Sequence, residues 1–275
     1  MQSKPRLATA LATHTGRVRT NNEDSVAEAP ELGLIVLADG MGGHNAGEVA
    51  SSIAVHATVE VVRHYWHDPE LQPEQKPAAR ALLLERALRT AHERIRERAI
   101  GDAEHCAGMG TTATCCLIYG DRLTIAHIGD SRAYRLRDHR LTQLTRDHSV
   151  IEQLIEQGLY NRETASRLVR KNLVTRALGV EASVRIDVLN EDVRLHDLFL
   201  ICSDGLTDML SDETISCILD QPRMAASDLA RQLVDQALAS GGHDNVTVAI
   251  ARVESTESLD RWHHRLRRWL SARAH

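Results

Sequence analysis

The chain has 275 residues, of which 43% are hydrophobic and 26% are charged, as in ordinary globular proteins. This composition excludes a disordered or collagen-like chain, and the lack of any run of about 18 apolar residues excludes a membrane-spanning helix. The 33 basic and 38 acidic side chains give a net charge of −5, which argues against bulk affinity for nucleic acid, because nucleic-acid-binding domains usually carry a basic excess.

The apolar pattern predicts a layered arrangement of strands and helices. In chain order these are a strand at 32–39, helices at 46–66 and 78–100 with a loop at 67–76 between them, strands at 112–119, 122–128 and 133–137, a polar helical stretch at 146–175, strands at 184–190 and 197–202, helices at 211–219 and 225–240, and a strand at 246–253. The three strands within 112–137 read as an antiparallel meander, with a turn back at Asp138-His139. Because long helices interrupt antiparallel strands, we expect an α+β sandwich.

The C-terminal residues have a different pattern from the rest. No linker separates folded halves, so residues 1–254 are predicted to form one domain. In residues 255–275, apolar side chains recur at helical spacing with five arginines interleaved, at Leu259, Trp262, Leu266, Trp269 and Leu270. The pattern predicts a basic amphipathic helix, which could pack on its own domain, dock on a partner or contact an anionic membrane surface.

Cysteine usage and the N-terminus bear on the compartment. The five cysteines include the adjacent Cys115 and Cys116 and show no C-x-x-C spacing, which is typical of reduced, buried thiols. The N-terminal residues lack the continuous apolar stretch of a signal peptide. We therefore expect a cytoplasmic protein.

Four aspartates stand at the ends of apolar runs. Asp39 follows LIVLA, Asp130 follows TIAHIG, Asp204 follows LFLICS, and Asp244 precedes NVTVAI. Carboxylates gathered at one edge of a sheet repel one another unless cations neutralise them. Oxygen-only ligation favours Mg²⁺ or Mn²⁺, and two such ions can activate a water. Each aspartate taken singly could instead cap a turn, since Asp-Gly is common in turns.

An arginine lies just ahead of the first of these strands. Arg19 precedes Glu23 and Asp24 in the run RTNNED. A guanidinium can bind phosphate bidentately, although an arginine near acids can also form a simple surface ion pair.

The glycine-rich turn at residues 40–44 has a competing interpretation. A strand, glycines and a helix also open dinucleotide-binding units, but the third glycine of that motif would fall at Asn45, and Asp39 would repel a pyrophosphate. The sequence contains no G-x-x-x-x-G-K-[ST], no G-x-S-x-G and no H-E-x-x-H.

Six motifs together carry a family resemblance. They are RTNNED, VLADGMGGH, MGTTAT, HIGDSR, CSDGLTD and GGHDNVTV, in this order. From about residue 8 to residue 253 the sequence resembles the bacterial metal-dependent serine/threonine protein phosphatases of the PPM (type 2C) family. The resemblance implies an α/β/β/α four-layer sandwich, two antiparallel sheets flanked by helices, with a flap at about 146–175 near the substrate entrance.

The resemblance also implies a binuclear Mn²⁺ or Mg²⁺ centre and a third, weaker ion. In it Asp39 bridges both tight ions, the Gly40 carbonyl binds one of them, Asp204 and Asp244 complete the other, Asp130 with Asp204 binds the third ion, Glu23 holds a metal-bound water, Asp24 supports that water, and Arg19 binds phosphate. Animal members carry a histidine where this chain has Met41. His44 is then a candidate general acid, or alternatively a solvent-facing residue at the helix entry.

The activity that the resemblance implies is hydrolysis of phosphoserine and phosphothreonine in proteins. A hydroxide bridging the two ions attacks phosphorus directly, without a phosphoenzyme. The implied partners are phosphorylated proteins, including a serine/threonine kinase that the enzyme opposes. Two alternatives are a specialised phosphatase for a single regulator and a pseudo-phosphatase that only binds, although the presence of all four aspartates argues against the second.

Overall fold

The computed structural model describes residues 6–42, 46–73, 76–161, 164 and 173–255. In chain order its elements are β1 Arg6–His14, β2 Asp24–Ala29, β3 Leu34–Met41, α1 Ala46–Tyr65, α2 Pro77–Gly101, α3 Ala103–Cys106, β4 Gly110–Thr111, β5 Ala113–Tyr119, β6 Arg122–Ile128, β7 Arg132–Arg137, β8 Arg140–Gln143, α4 Val150–Glu156, β9 Asp187–Asp192, β10 Leu198–Cys202, α5 Asp204–Thr207, α6 Asp212–Leu219, α7 Ala226–Ala239 and β11 Val246–Ser255.

The strands of the described residues form two antiparallel sheets. Sheet A has the order β1-β11-β10-β7-β8, and sheet B has the order β2-β3-β5-β6-β9, with the short β4 paired to β3. In sheet A, β1 pairs with β11 along its whole length, from Arg6 beside Ser255 to His14 beside Val246. The first and last strands of the described fold are therefore neighbours.

Central strands of both sheets are apolar on both faces. In β3, Val36 packs in one cluster with α1 and α2, whereas Ile35 and Leu37 pack between the two sheets. In β10, Leu200 packs with α6 and α7, and Phe199 joins the core between the sheets. Burial on both faces explains why these strands read as continuous apolar runs instead of alternating ones. The layers are helices, sheet B, sheet A and helices, so the predicted four-layer sandwich is confirmed.

The predicted meander is wrong at its third strand. β5 and β6 pair as expected, but β7 pairs with β10 and β8 in sheet A. Residues 129–131 carry the chain from one sheet to the other, starting at Gly129 with a φ of +107°. The turn after β7 does lie at Asp138 and His139, both with positive φ. Alternating hydrophobicity predicts that a strand forms but not which sheet it joins.

Strands β1, β2, β4 and β8 are absent from the sequence prediction, and one strand is displaced. The segments RLATALATH and DSVAEA are built mainly from small side chains, so they lack the run of large apolar residues that marks a strand. Their strand conformation depends on pairing with neighbours, β11 and β3, because strand propensity is largely context. The strand predicted at 184–190 lies at Asp187–Asp192.

The stretch 146–175, predicted to be helical, is helical only over Val150–Glu156 and at residue 164 among its described residues. The Ser149 hydroxyl caps α4 by accepting a hydrogen bond from the Glu152 N–H at 3.2 Å. Ser149 also forms an antiparallel bridge with Val174, so the two ends of the stretch meet. Residues 162–163 and 165–172, like the predicted C-terminal helix from residue 256 onward, lie outside the described residues.

The burial of the cysteines agrees with the prediction at four of the five positions. All five cysteines are free, and four are buried, but Cys217 is exposed, contrary to the prediction that all are buried. In the described ranges, no helix has the length and apolarity needed to cross a bilayer.

Candidate active site

Antiparallel pairing brings the acidic strand ends to one edge of the sandwich. β3 and β6 end there and β2 begins there, while in sheet A β10 ends where β11 begins. A cleft of about 190 Å³ opens at this edge, and the residues singled out in the sequence that line it are Arg19, Glu23, Asp39, Gly40, Asp130, Asp204 and Asp244. The topology therefore collects side chains from segments more than 200 residues apart.

Asp24 lies beside the cleft and is buried. It pairs directly opposite Asp39 across β2 and β3, which places the two side chains on one face of sheet B. Its Oδ2 accepts a hydrogen bond from the Ser203 hydroxyl at 2.8 Å, whereas its buried Oδ1 has no hydrogen-bond partner among the described residues. Burial raises the pKa of Asp24 to about 6.

Four carboxyl groups that line the cleft are held in an environment that disfavours their charge. Burial and then neighbouring carboxylates raise the pKa values of Asp39 and Asp204 well above the usual range. Burial raises the pKa of Asp130 to about 6, and Asp147 adds to the effect. Burial also raises the pKa of Glu23. This edge of the molecule thus concentrates negative charge where little water can screen it.

The donor set fits a hard divalent cation. The cleft offers carboxylate and carbonyl oxygens. Next to it, Asp24 pairs opposite Asp39, and its buried Oδ1 has no hydrogen-bond partner among the described residues. Oxygen ligands of this kind select Mg²⁺ or Mn²⁺. Over the described ranges, no three His, Cys, Asp or Glu side chains already stand at the spacing of a metal cage. Since like charges repel, the carboxylates would have to draw together around the ions.

Two glycines let the first turn of α1 press against Glu23. The Gly40 N–H donates to the Glu23 carbonyl at 3.1 Å. A Cβ on Gly40 would lie 2.1 Å from the Gly47 carbonyl oxygen, and a Cβ on Gly47 would lie 2.5 Å from Glu23 Oε2. Any side chain at either position would displace Glu23 or the turn, so the close approach requires glycine.

Threonines of the MGTTAT motif hold the Asp39 backbone. The Asp39 N–H donates to Thr112 Oγ1 at 3.0 Å, and Thr111 Oγ1 donates to the Asp39 carbonyl at 2.9 Å. Thr112 Oγ1 also lies 2.7 Å from Ser131 Oγ. The motif therefore fixes the strand end that carries Asp39, a role that its sequence alone did not suggest.

Asn245 joins the segments of the site and was missed as a functional residue in the sequence. Its Oδ1 accepts from the Glu23 N–H at 2.8 Å, and its Nδ2 donates to the carbonyls of Thr15 and Asn21 at 2.9 and 2.8 Å. The only available signal was its place beside Asp244 in GGHDNVTV. Its hydrogen bonds tie the segment of Arg19 and Glu23 to the start of β11.

We expect Asn245→Ala to destabilise the protein by about 1–3 kcal/mol, because it removes three part-buried hydrogen bonds that join Glu23, Thr15 and Asn21 to the start of β11. Urea denaturation followed by circular dichroism measures the change. Gln236→Ala, which removes an exposed amide on α7, serves as the control and should leave the midpoint unchanged. Equal midpoints for both variants would contradict the bridging role.

Arg19 forms an ion pair inside the site. Its Nη2 lies 2.7 Å from Asp244 Oδ2, and 52% of its side chain is exposed. The ion pair anticipated as the alternative interpretation thus exists, but its partner is one of the cleft acids. The partly exposed Arg19 side chain also lines the cleft. His44, the candidate general acid, lies outside the described residues.

Comparison with known proteins decides the family. The profile of the family described as protein phosphatase 2C matches residues 13–240. The chain belongs to the protein phosphatase 2C family. The resemblance seen in the six motifs is therefore confirmed, and the matched span contains the cleft residues from Arg19 to Asp204.

Relatives within the protein phosphatase 2C family are similar over most of this chain. The serine/threonine protein phosphatase PstP of Mycobacterium tuberculosis is 40% identical over 246 residues, covering 89% of this chain but 44% of PstP. The serine/threonine phosphatase stp of Listeria monocytogenes is 35% identical over 251 residues, covering 89% of this chain and 95% of stp. A crystal structure of the PstP catalytic domain with two manganese ions shows 38% identity and a TM-score of 0.78, covering 90% of this chain and 99% of that one. This chain therefore spans less than half the length of PstP.

Proposed function

We propose that the protein is a metal-dependent phosphatase acting on phosphoserine and phosphothreonine in proteins. The observation that carries the proposal is the cleft itself, in which partly buried carboxylates of raised pKa and an arginine converge. Membership of the protein phosphatase 2C family and the names of the relatives support the same activity.

The proposed ion ligands are the acids at the edge of the sandwich. Asp39, the Gly40 carbonyl, Asp204 and Asp244 would hold two Mn²⁺ or Mg²⁺ ions, as the two manganese ions of the PstP structure suggest, and Asp130 would hold a third. Such ions, when bound, supply charge neutralisation and an acidified water for attack on phosphorus. Glu23 would hold a metal-bound water in the cleft, and the buried Asp24 would help to position that water.

The proposed role of Arg19 is to bind the phosphate. Its ion pair with Asp244 keeps the guanidinium beside the acids of the cleft, where a phosphate monoester would bind. Cations beside Asp244 would weaken that ion pair and leave the guanidinium donors for the phosphate oxygens. A planar fork of donors suits the charge that builds on those oxygens in the transition state.

The proposed partners are phosphorylated proteins, among them a serine/threonine kinase that this enzyme would oppose. The relatives' names support serine and threonine as the phosphorylated residues. The free thiols, four of them buried, are compatible with the proposed cytoplasmic location.

The proposal is tested by hydrolysis of a phosphothreonine peptide by the purified protein. We expect phosphate release with Mn²⁺ and none with excess EDTA. Release that persists in EDTA would contradict metal dependence. No release with any divalent ion would overturn the proposed activity in favour of a binding protein on the same fold.

Arg19→Ala is expected to lower kcat/KM for the phosphopeptide by about 10- to 100-fold, since a hydrogen bond to a charged group contributes about 1.5–3 kcal/mol. Steady-state kinetics at saturating Mn²⁺ measures the loss. Arg17→Ala, which removes an exposed arginine two residues away, should retain wild-type kinetics. Wild-type kcat/KM in Arg19→Ala would contradict phosphate binding by this residue.

Asp130→Ala is expected to reduce catalysis without removing the tight ions, because Asp130 would hold only the third one. The Mn²⁺ concentration for half-maximal activity should rise about tenfold or more. A Mn²⁺ titration of activity, with the retained metal counted after gel filtration, separates the two effects. Unchanged kinetics across the titration would count against the third site.

A further inference from the structure

His148 connects the 146–175 stretch to the peptide that precedes Asp130. It is 3% exposed, and it contacts Gly129 twice. The His148 N–H donates to the Gly129 carbonyl at 2.7 Å, and the Gly129 N–H donates to His148 Nδ1 at 3.0 Å. The backbone N–H and the ring of His148 therefore bind the carbonyl and the N–H of Gly129, respectively.

The hydrogen bonds fix the tautomer of the His148 ring. A backbone N–H can only donate, so Nδ1 is the acceptor and the proton sits on Nε2. Nε2 lies 3.1 Å from Asp187 Oδ2 and donates to it. Arg176 Nη1 in turn donates to Asp187 Oδ1 at 2.8 Å. Burial lowers the pKa of His148, which keeps the ring neutral and Nδ1 free to accept.

The other side of Gly129 is equally confined. With its φ of +107°, a Cβ on Gly129 would lie 2.5 Å from Thr112 Cβ. Thr112 in turn lines the cleft and bonds the backbone of Asp39. The Gly129 peptide is thus held between Thr112 and His148, and the next residue along the chain is Asp130.

Both ends of the 146–175 stretch meet at the same histidine. The Thr175 N–H donates to the His148 carbonyl at 2.7 Å, and the adjacent Val174 lines the cleft. Arg176, the next residue, holds the carboxylate that orients the His148 ring. His148 therefore connects both ends of this stretch to the loop that carries Asp130.

We propose that His148 is a positioning residue that places Asp130 for cation binding, through the hydrogen bond that its Nδ1 accepts from the Gly129 N–H. The inference rests on the proposed function in assigning a cation to Asp130. The Asp187 carboxylate orients the ring, as an outer carboxylate orients a metal-site histidine. His148 itself touches neither the substrate nor an ion.

Two substitutions of His148 test the roles of Nδ1 and Nε2 separately. In asparagine the side-chain oxygen occupies nearly the place of Nδ1, so His148→Asn keeps an acceptor for Gly129. In glutamine the amide nitrogen reaches nearly the place of Nε2, so His148→Gln keeps the contact with Asp187 and loses the acceptor. His56→Gln, an exposed histidine of α1, is the matched control.

Two measurements on the full chain test the proposal. We expect His148→Gln to raise the Mn²⁺ concentration for half-maximal activity by about 10- to 100-fold, as for other outer-shell partners, and to speed hydrogen exchange of the Gly129 amide in the metal-free protein. His148→Asn should restore most of both losses. If the His148 side chain only filled space, His148→Gln and His148→Asn should show equal changes in both measurements.

Several outcomes would overturn the proposal. They are wild-type Gly129 exchange in His148→Gln, equal losses in both variants, and a ¹⁵N spectrum of the wild-type protein that places the His148 proton on Nδ1. The spectrum needs no variant, so the test survives if a substitution fails to fold. If the wild-type protein released no phosphate, the proposed function would fail, whereas exchange rates and Mn²⁺ binding by calorimetry would still test the positioning role.

Discussion

Asp39→Asn is expected to lower metal-dependent phosphate release by about a thousandfold or more, which corresponds to the several kcal/mol that bound ions contribute to charge stabilisation. Asparagine has the same shape but carries no charge, so the strand end and its bonds to Thr111 and Thr112 should persist. Asp204→Asn, at the start of α5 just after β10 of sheet A, is expected to have the same effect. Loss of activity from either sheet would show that the cleft acts as one unit.

Phosphopeptide hydrolysis across a Mn²⁺ titration measures this loss, and circular dichroism verifies the fold. Asp228→Asn, an exposed aspartate of α7, makes the same chemical change far from the cleft and should keep full activity. An Asp39→Asn protein that retains most of its turnover would refute the assignment of Asp39 as an ion ligand.

The same Asp39→Asn protein is expected to be more stable than the wild type once metal is removed at neutral pH. Burial and neighbouring carboxylates raise the pKa of Asp39 well above its unfolded value, so the ionised side chain costs free energy in the fold. The stabilisation should raise the melting temperature by about 2–4 °C for each kcal/mol of relieved repulsion. With saturating Mn²⁺ the order should reverse, because ligand binding stabilises only the protein that binds.

The pH dependence of this difference follows from linkage. Below the unfolded pKa of about 3.9, Asp39 is protonated in both states and the penalty is absent. As the pH rises toward the folded pKa, the folded protein keeps a proton that the unfolded chain releases, and wild-type stability falls. Asparagine does not titrate. The advantage of Asp39→Asn in EDTA should therefore vanish below about pH 4 and grow toward pH 7.

Thermal denaturation of both proteins in EDTA at several pH values tests this prediction, with Asp228→Asn as the control. A wild-type protein that is more stable than Asp39→Asn in EDTA at pH 7 would show that the Asp39 charge is already compensated within the chain.

Strands buried on both faces were predictable because their apolar runs are continuous. LIVLAD and LFLIC locate β3 and β10, and the aspartates that follow mark the edge where the cleft lies. The long helices were equally predictable, since α1 buries alanine and valine, and α2 buries alanine and leucine, at regular spacing. Local pattern and tertiary burial agree in these elements.

Features that depend on distant pairing were not predictable. β1 is a strand because it pairs with β11, which is more than 230 residues away. No feature of the segment RLATALATH indicates this pairing. β7 resembles β5 and β6 in pattern but joins the other sheet after Gly129. In the site, the linking roles of Asn245 and His148 arise from backbone groups of remote segments. A single sequence does not show which backbone groups a polar side chain will meet.

The pairing of β1 with β11 also decides how the protein can be tethered. The two strands are antiparallel and paired along their whole length, with His14 and Val246 at the cleft end and Arg6 and Ser255 at the other. At about 3.3 Å per residue, the ten residues of β11 place Ser255 roughly 30 Å from the acids. An anchor or fused module attached directly at Arg6 or Ser255 would thus lie at the opposite end of these two strands from the cleft.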